Sequence, residues 1–177
     1  MSTLITTTAQ IGTIKDAGGN ATGITVASDG KIAMPNSSGF VPEFVAWSVK
    51  RTSNQSIANG AQTQVQWNSE IFDTHNAFAS NAFTVPSGQG GYYNVGFFIN
   101  WQGSWSAQVI QYIRVNSAPV ATFMEQKTGN EMGEGGSQLV QVSAGQTIDI
   151  AVYQTGGTQN IYGSDSLSTR FWGYRVG

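Results

Sequence analysis

The chain contains no cysteine, and that absence removes disulfides, thiolate zinc sites and a cysteine nucleophile together. A single histidine, His75, excludes a histidine-dependent triad and a multi-histidine metal site. Charge is scarce as well. Asp, Glu, Lys and Arg make up 10% of the 177 residues, against about 25% in an average globular protein, so the surface has to be built from Ser, Thr, Asn, Gln and Gly. The net charge of −2 leaves no basic footprint for nucleic acid. No apolar run approaches the ~20 residues of a membrane-spanning helix; the longest patch, Val95 to Trp101, is broken by Gly96 and Asn100. The opening residues, Met1 to Thr8, lack the charged segment and continuous apolar run of a signal peptide. The expectation is a protein folded in the cytoplasm, with neither nucleic acid nor membrane as a partner.

What is present reads as all-β. Neutral hydroxyl and amide residues suit the exposed faces of sheets, whereas helical surfaces favour Glu, Lys and Arg. No window holds apolar residues at helical spacing over three turns; short alternating runs bounded by Gly, Asn, Ser and Pro recur instead. In Tyr93 to Trp101 every odd position is large and apolar, so one face of that strand is core. The opposite face carries Asn94, Gly96 and Asn100, thin enough to pack against a neighbour. Thr147 to Tyr153 repeats the pattern with Ile148, Ile150 and Val152 inward, and Val109, Ile113 and Val115 share one side of another run. Leu139 to Val142 and Phe171 to Val176 complete the strong strands, with turn chemistry at Pro86-Ser87-Gly88, Ser143-Ala144-Gly145 and Thr155-Gly156-Gly157. Residues 1–39 differ: Gly19-Asn20 and Asp29-Gly30 are hairpin turns, and Ile11, Ile14, Ile24, Val26 and Ile32 supply an apolar set too small to stand alone. The division expected is a β-hairpin arm and linker over 1–39, for anchoring, and a main domain over 40–177.

From Phe40 onward the order of elements resembles the globular head of complement C1q and its relatives among the tumour necrosis factor-like jelly rolls. Phe44 to Val49 resembles that family's opening strand, Val65 to Asp73 its next strand, and Asn81 to Pro86 the segment after it. Gly91-Tyr92-Tyr93-Asn94-Val95-Gly96-Phe97 is similar to its glycine–aromatic–aromatic strand entering the core. Tyr112 to Asn116, Val142 to Ile148 and Phe171-Trp172-Gly173-Tyr174 follow in the family's order. The sequence departs from the family at Gln146, where an Asp is usual, and carries no collagen-like repeat. The resemblance implies a sandwich of roughly ten strands that forms a homotrimer, with flat aromatic faces around a threefold axis. Its core and trimer contacts are expected at Trp67, Tyr93, Phe97, Trp101, Phe171 and Trp172. The arm, Ile14 to Ile32, is similar to short β segments in virion proteins of marine phages and cyanophages.

Candidate chemistry is sparse. Glu70 with Asp73 has the residue types of a paired-carboxylate hydrolase, yet reads as ordinary surface acids. Calcium needs six or more oxygen ligands; some relatives of the family bind it, but no ligand here matches residue by residue, and no cofactor is expected. His75 reads as a solvated loop residue. Gly129 to Gly136 lacks the Lys of a phosphate cradle and reads as a mobile loop between strands. Trp105, beside the turn at Gly103, is the indole expected to be exposed for a partner. The function these features imply is a non-enzymatic bacteriophage virion protein, a capsid decoration or cement trimer bound to the major capsid protein or another virion component. The alternative is a receptor-binding tip of a tail fibre or spike, with host glycan stacking on Trp105.

Overall fold

A computed structural model describes residues 44–164 and 169–176 and, before them, the backbone of 25–26 and 32–33. The chain divides into two compact units, Met1–Glu43 and Phe44–Gly177.

In the first unit, β1 (Thr25–Val26) and β2 (Ile32–Ala33) pair antiparallel, with Val26 opposite Ile32. They lie on either side of Asp29-Gly30 in the sequence, the dipeptide expected to turn, which itself falls outside the described residues. The other expected hairpin, around Gly19-Asn20, and Ile11, Ile14 and Ile24 lie outside the described residues.

The second unit is a sandwich of two antiparallel sheets. In the larger, β4 (Gln55–Ile57), β14 (Gln159–Ile161), β9 (Gly91–Trp101), β15 (Arg170–Arg175), β3 (Ala46–Lys50) and β6 (Ser69–Asp73) follow in that order, and β12 (Met132–Val142) pairs with β9. In the smaller, the order is β11 (Ala118–Lys127), β10 (Ala107–Val115), β13 (Thr147–Gln154), β8 (Ala82–Thr84) and β7 (Phe78–Ala79), with β5 (Thr63–Gln64) on β13. Alternation decides what lies between the sheets. Tyr93, Val95, Phe97, Ile99 and Trp101 of β9 face Val109 and Ile113 of β10 and Ile148, Ile150 and Val152 of β13, all of them fully buried. Trp47 stacks on Phe83 at 3.9 Å and meets Phe171 edge-on at 5.5 Å, arrangements that add to the burial of such large rings. Gly173 sits under Trp47, where a Cβ would collide with the indole.

Two expectations are corrected and one strand is new. Met132–Val142 is one strand, not a loop followed by a short strand at Leu139: a Cβ at Gly133 or Gly136 would run into the ring of Phe98 or Phe123. Glycine is there because neighbouring aromatics occupy its side-chain space, not because the chain turns. Val65 to Asp73 is not one strand: pairing stops at Gln64 and resumes at Ser69, and between them the Trp67 amide donates to Asn81 Oδ1 at 2.8 Å. Finally, β11 lacked an apolar alternation to betray it. Its backbone is claimed by β10 after a two-residue turn, Asn116-Ser117, with φ of 49° and 65°, the positive pair of a tight hairpin.

Candidate functional site

One lateral row crosses the outer face of the larger sheet. Phe72 of β6 stands opposite Ser48 of β3, Ser48 opposite Trp172 of β15, and Trp172 opposite Gly96 of β9. The small residues at Ser48 and Gly96 leave the indole standing in a trough. A Cβ on Gly96 would lie 2.5 Å from Trp172 Cε2. With Phe98 and Arg170 from the adjoining row, these side chains line an open groove of about 700 Å3. Tyr92, Tyr174, Leu139 and Val176 extend the same apolar surface, and Asn94 Nδ2 donates to the Tyr174 hydroxyl at 2.9 Å. Tyr92 and Phe72, on strands at opposite sides of this face, keep 48% and 46% of their surface exposed, and exposed apolar area of this kind is characteristic of surfaces that meet a partner. Among the described residues no carboxylate or imidazole lines the groove. It is built to bury apolar area around one guanidinium, whose Nε has no hydrogen-bond partner among the described residues.

Of the six aromatics expected at core or trimer contacts, Tyr93, Phe97, Trp101 and Phe171 are fully buried within a single chain and Trp67 nearly so. Only Trp172 reaches the outer face. Tyr92, Phe98, Phe72, Arg170 and Tyr174 went unnoticed in the sequence. The signal was the remainder of the alternation: even positions of β9 that are aromatic although the odd ones already supply the core.

Trp105 is not the free indole expected of it. It is half-buried, edge-on to Trp101 at 5.5 Å, with its ring nitrogen donating to the Gln102 carbonyl. The Lys127 ammonium lies 4.6 Å from its ring centroid. That ammonium is itself enclosed by the carbonyls of Gly103, Gly129 and Asn130 at 2.7–2.8 Å. Burial holds the Lys127 pKa below its ordinary value, and Glu131 acts in the opposite direction. Trp105 and Lys127 therefore brace the loops at one end of the sandwich.

The remaining candidates have structural roles. Asp73 accepts the backbone amides of His75, Ala77 and Phe78 and so builds the turn after β6. Glu70 is exposed. His75 is half-buried, not solvated, with Nδ1 2.8 Å from Thr74 Oγ1, beside a depression of about 590 Å3 lined mainly by small side chains. Among the described residues no three His, Asp or Glu side chains gather where a metal ion could be held. Two ionised groups do pair on the outer face of the smaller sheet: Arg114 grips Asp149 through Nε at 2.6 Å and Nη2 at 2.9 Å.

No family model matches the chain, and no curated protein does. Solved structures do. The globular domain of the zebrafish complement 1qA protein superposes with a TM-score of 0.54 at 16% identity, covering 75% of this chain and 98% of that one. The Eiger TNF of S. frugiperda gives 0.59 at 12% identity, with 76% and 94% covered. At such identities the likeness concerns the fold: the domain is a C1q/TNF-like jelly roll.

Proposed function

We propose that three copies of the chain pack the aromatic faces of their larger sheets around a common axis, and that the trimer is a non-enzymatic bacteriophage virion protein decorating or cementing the capsid. The observation that carries the self-association is the row Phe72–Ser48–Trp172–Gly96, left open among the described residues, with Tyr92, Phe98 and Leu139 on the same face. Covering such a surface lowers the free energy by roughly 25 cal/mol per Å2 of apolar area removed from water. Arg170 in the groove calls for an acceptor from the neighbouring copy. The jelly-roll fold, common to C1q and TNF-like domains, fits a trimer. The virion assignment rests on the likeness of Ile14 to Ile32 to phage segments and on a surface poor in charge. Three weak arms held on one trimer raise avidity by ~10²- to 10⁴-fold, which suits a decorating role. With Trp105 half-buried, the tail-fibre reading loses the indole on which glycan was to stack.

Sedimentation of the full chain tests the assembly: a species of three times 18.8 kDa is expected. The double variant Phe72→Glu/Tyr92→Glu is expected to sediment as a folded monomer with an unchanged circular dichroism spectrum. A wild-type monomer at tens of micromolar overturns the trimer. Antibody labelling of purified phage particles tests the role: label over the head supports decoration, label at the tail tip favours receptor binding, and unlabelled particles reject both.

A further inference from the structure

The two longest edge strands meet at one side of the sandwich. Among the described residues β11 pairs with β10 alone and β12 with β9 alone, so their inward side chains close the gap between the sheets. At the middle of that gap Phe123 lies over Gly136 and meets Phe97 edge-on at 5.0 Å. One inward position nearer the start of β12 stands Glu134, opposite Ile99 of β9. Glu134 is 7% exposed, and Gln111, facing inward from β10, is fully buried. Neither Gln111 amide atom nor Glu134 Oε2 has a hydrogen bond of normal length among the described residues. Buried polar groups are paired as a rule, and an unpaired buried carboxylate is unfavourable when ionised.

We propose that Glu134 is a proton-controlled latch on this edge: with its carboxyl neutral the glycine-rich half of β12 stays docked on the core, and with the carboxyl ionised that half loosens. The groups facing it support this. Glu125, two residues past Phe123 on β11 and exposed at the rim of the gap, adds like charge. Lys127, the next inward residue of β11, is committed to loop carbonyls. β10 offers Gln111 and otherwise apolar side chains. The one inward titratable group of β9, Tyr93, sits at the far end with its hydroxyl on the Gln89 carbonyl. Burial first and Glu125 second raise the Glu134 pKa to about 7, against a smaller opposing pull from Gln111. Release here breaks a single ladder, the one to β9, and lifts Gly133 and Gly136 away from the Phe98 and Phe123 rings that cover them, a local opening of the kind that edge segments undergo.

Hydrogen exchange of the full chain, corrected for intrinsic rates, reads the latch. From pH 5.5 to 8.5, opening of residues 132–138 is expected to increase roughly thirtyfold, the ratio that a proton bound with pKa about 7 closed and 4.5 open dictates, while residues 109–115 stay protected. Glu134→Gln is expected to hold the segment equally closed at both pH values. Glu125→Gln, which leaves Glu134 in place, is expected to move the midpoint to lower pH. Wild-type exchange independent of pH, or an unaltered pH response in Glu134→Gln, overturns the proposal; so does an unmoved midpoint in Glu125→Gln, which serves should Glu134→Gln fail to fold. The inference rests on the domain's fold and not on its assembly: the same experiment on the Phe72→Glu/Tyr92→Glu chain separates the two.

Discussion

Trp172 on β15 lies against the α-carbon of Gly96 on β9, with its ring nitrogen 2.7 Å from where a Cβ would stand. The contact sets the height of the indole in the groove. Gly96→Ala is therefore expected to lift Trp172 outward, because Gly96 is part of a paired ladder and the half-buried indole is the partner free to yield. Overpacking of this kind costs about 1–3 kcal/mol. We expect a lowered urea midpoint and, more tellingly, weaker self-association by sedimentation. An alanine variant that associates like the wild type would place the contact surface elsewhere.

The Arg114–Asp149 pair yields a second prediction. Both residues are almost fully buried, and Gln64 and Gln62 donate to Asp149 and accept from Arg114 respectively. Removing one partner strands a charge, so Asp149→Ala is expected to destabilise by about 3–5 kcal/mol. The double replacement Arg114→Met/Asp149→Leu is expected to recover most of that loss, since an apolar pair of similar volume avoids the desolvation of both ions. Chemical denaturation of the three proteins gives the comparison, and additive losses would contradict it.

Lys127 supplies a third. Its ammonium ties together the carbonyls at 103, 129 and 130, and Lys127→Met keeps the stem while removing every donor. Orphaned carbonyls cost about 1–3 kcal/mol. The loops carrying Trp105 are expected to loosen, seen as a red-shifted tryptophan emission and faster proteolysis near Gly103, with the rest of the sandwich retained.

Stability should also depend on pH through Glu134. Its folded pKa of about 7 lies above the ordinary 4.5, so the folded chain holds a proton that the unfolded chain has already released. This contribution is fully present below pH 4.5, declines as pH rises between 4.5 and 7, and is gone above. The shift corresponds to at most about 3 kcal/mol. Urea midpoints of wild type and Glu134→Gln at pH 5 and pH 8 isolate it: the difference between the proteins should change sharply between the two conditions, and parallel behaviour speaks against it.

The strands with one clean apolar face were legible in the sequence. Tyr93 to Trp101 and Thr147 to Tyr153 carry a period of two that permits a single burial pattern, and both lie where that pattern puts them, whereas Phe171-Trp172 carries aromatics on both faces and its inward side was settled only by packing. The end of β10 at Asn116 was legible only through the likeness of Tyr112 to Asn116 to a strand of the jelly-roll family, and its positive φ of 49° came from the structure. The contact surface was only half visible. Its thin residues, Asn94, Gly96 and Asn100, stood out on β9, but Phe72, Ser48 and Arg170 come from strands far apart in the chain, and their adjacency is a matter of register.

Where sequence reading failed, the missing quantity was a neighbour. Glycines at 133 and 136 signify flexibility when read alone and close packing when Phe98 and Phe123 are set over them. Trp105 beside a glycine turn suggests exposure until Trp101 and Lys127 enclose it. The order of residues by itself determined the all-β class, the inward faces and the tight turns, because those follow from backbone stereochemistry and the period of the pleat. The tertiary structure alone decided which aromatic lies over which glycine, which carboxylate is sealed from water and which face stays open, because each depends on groups brought together from distant parts of the chain.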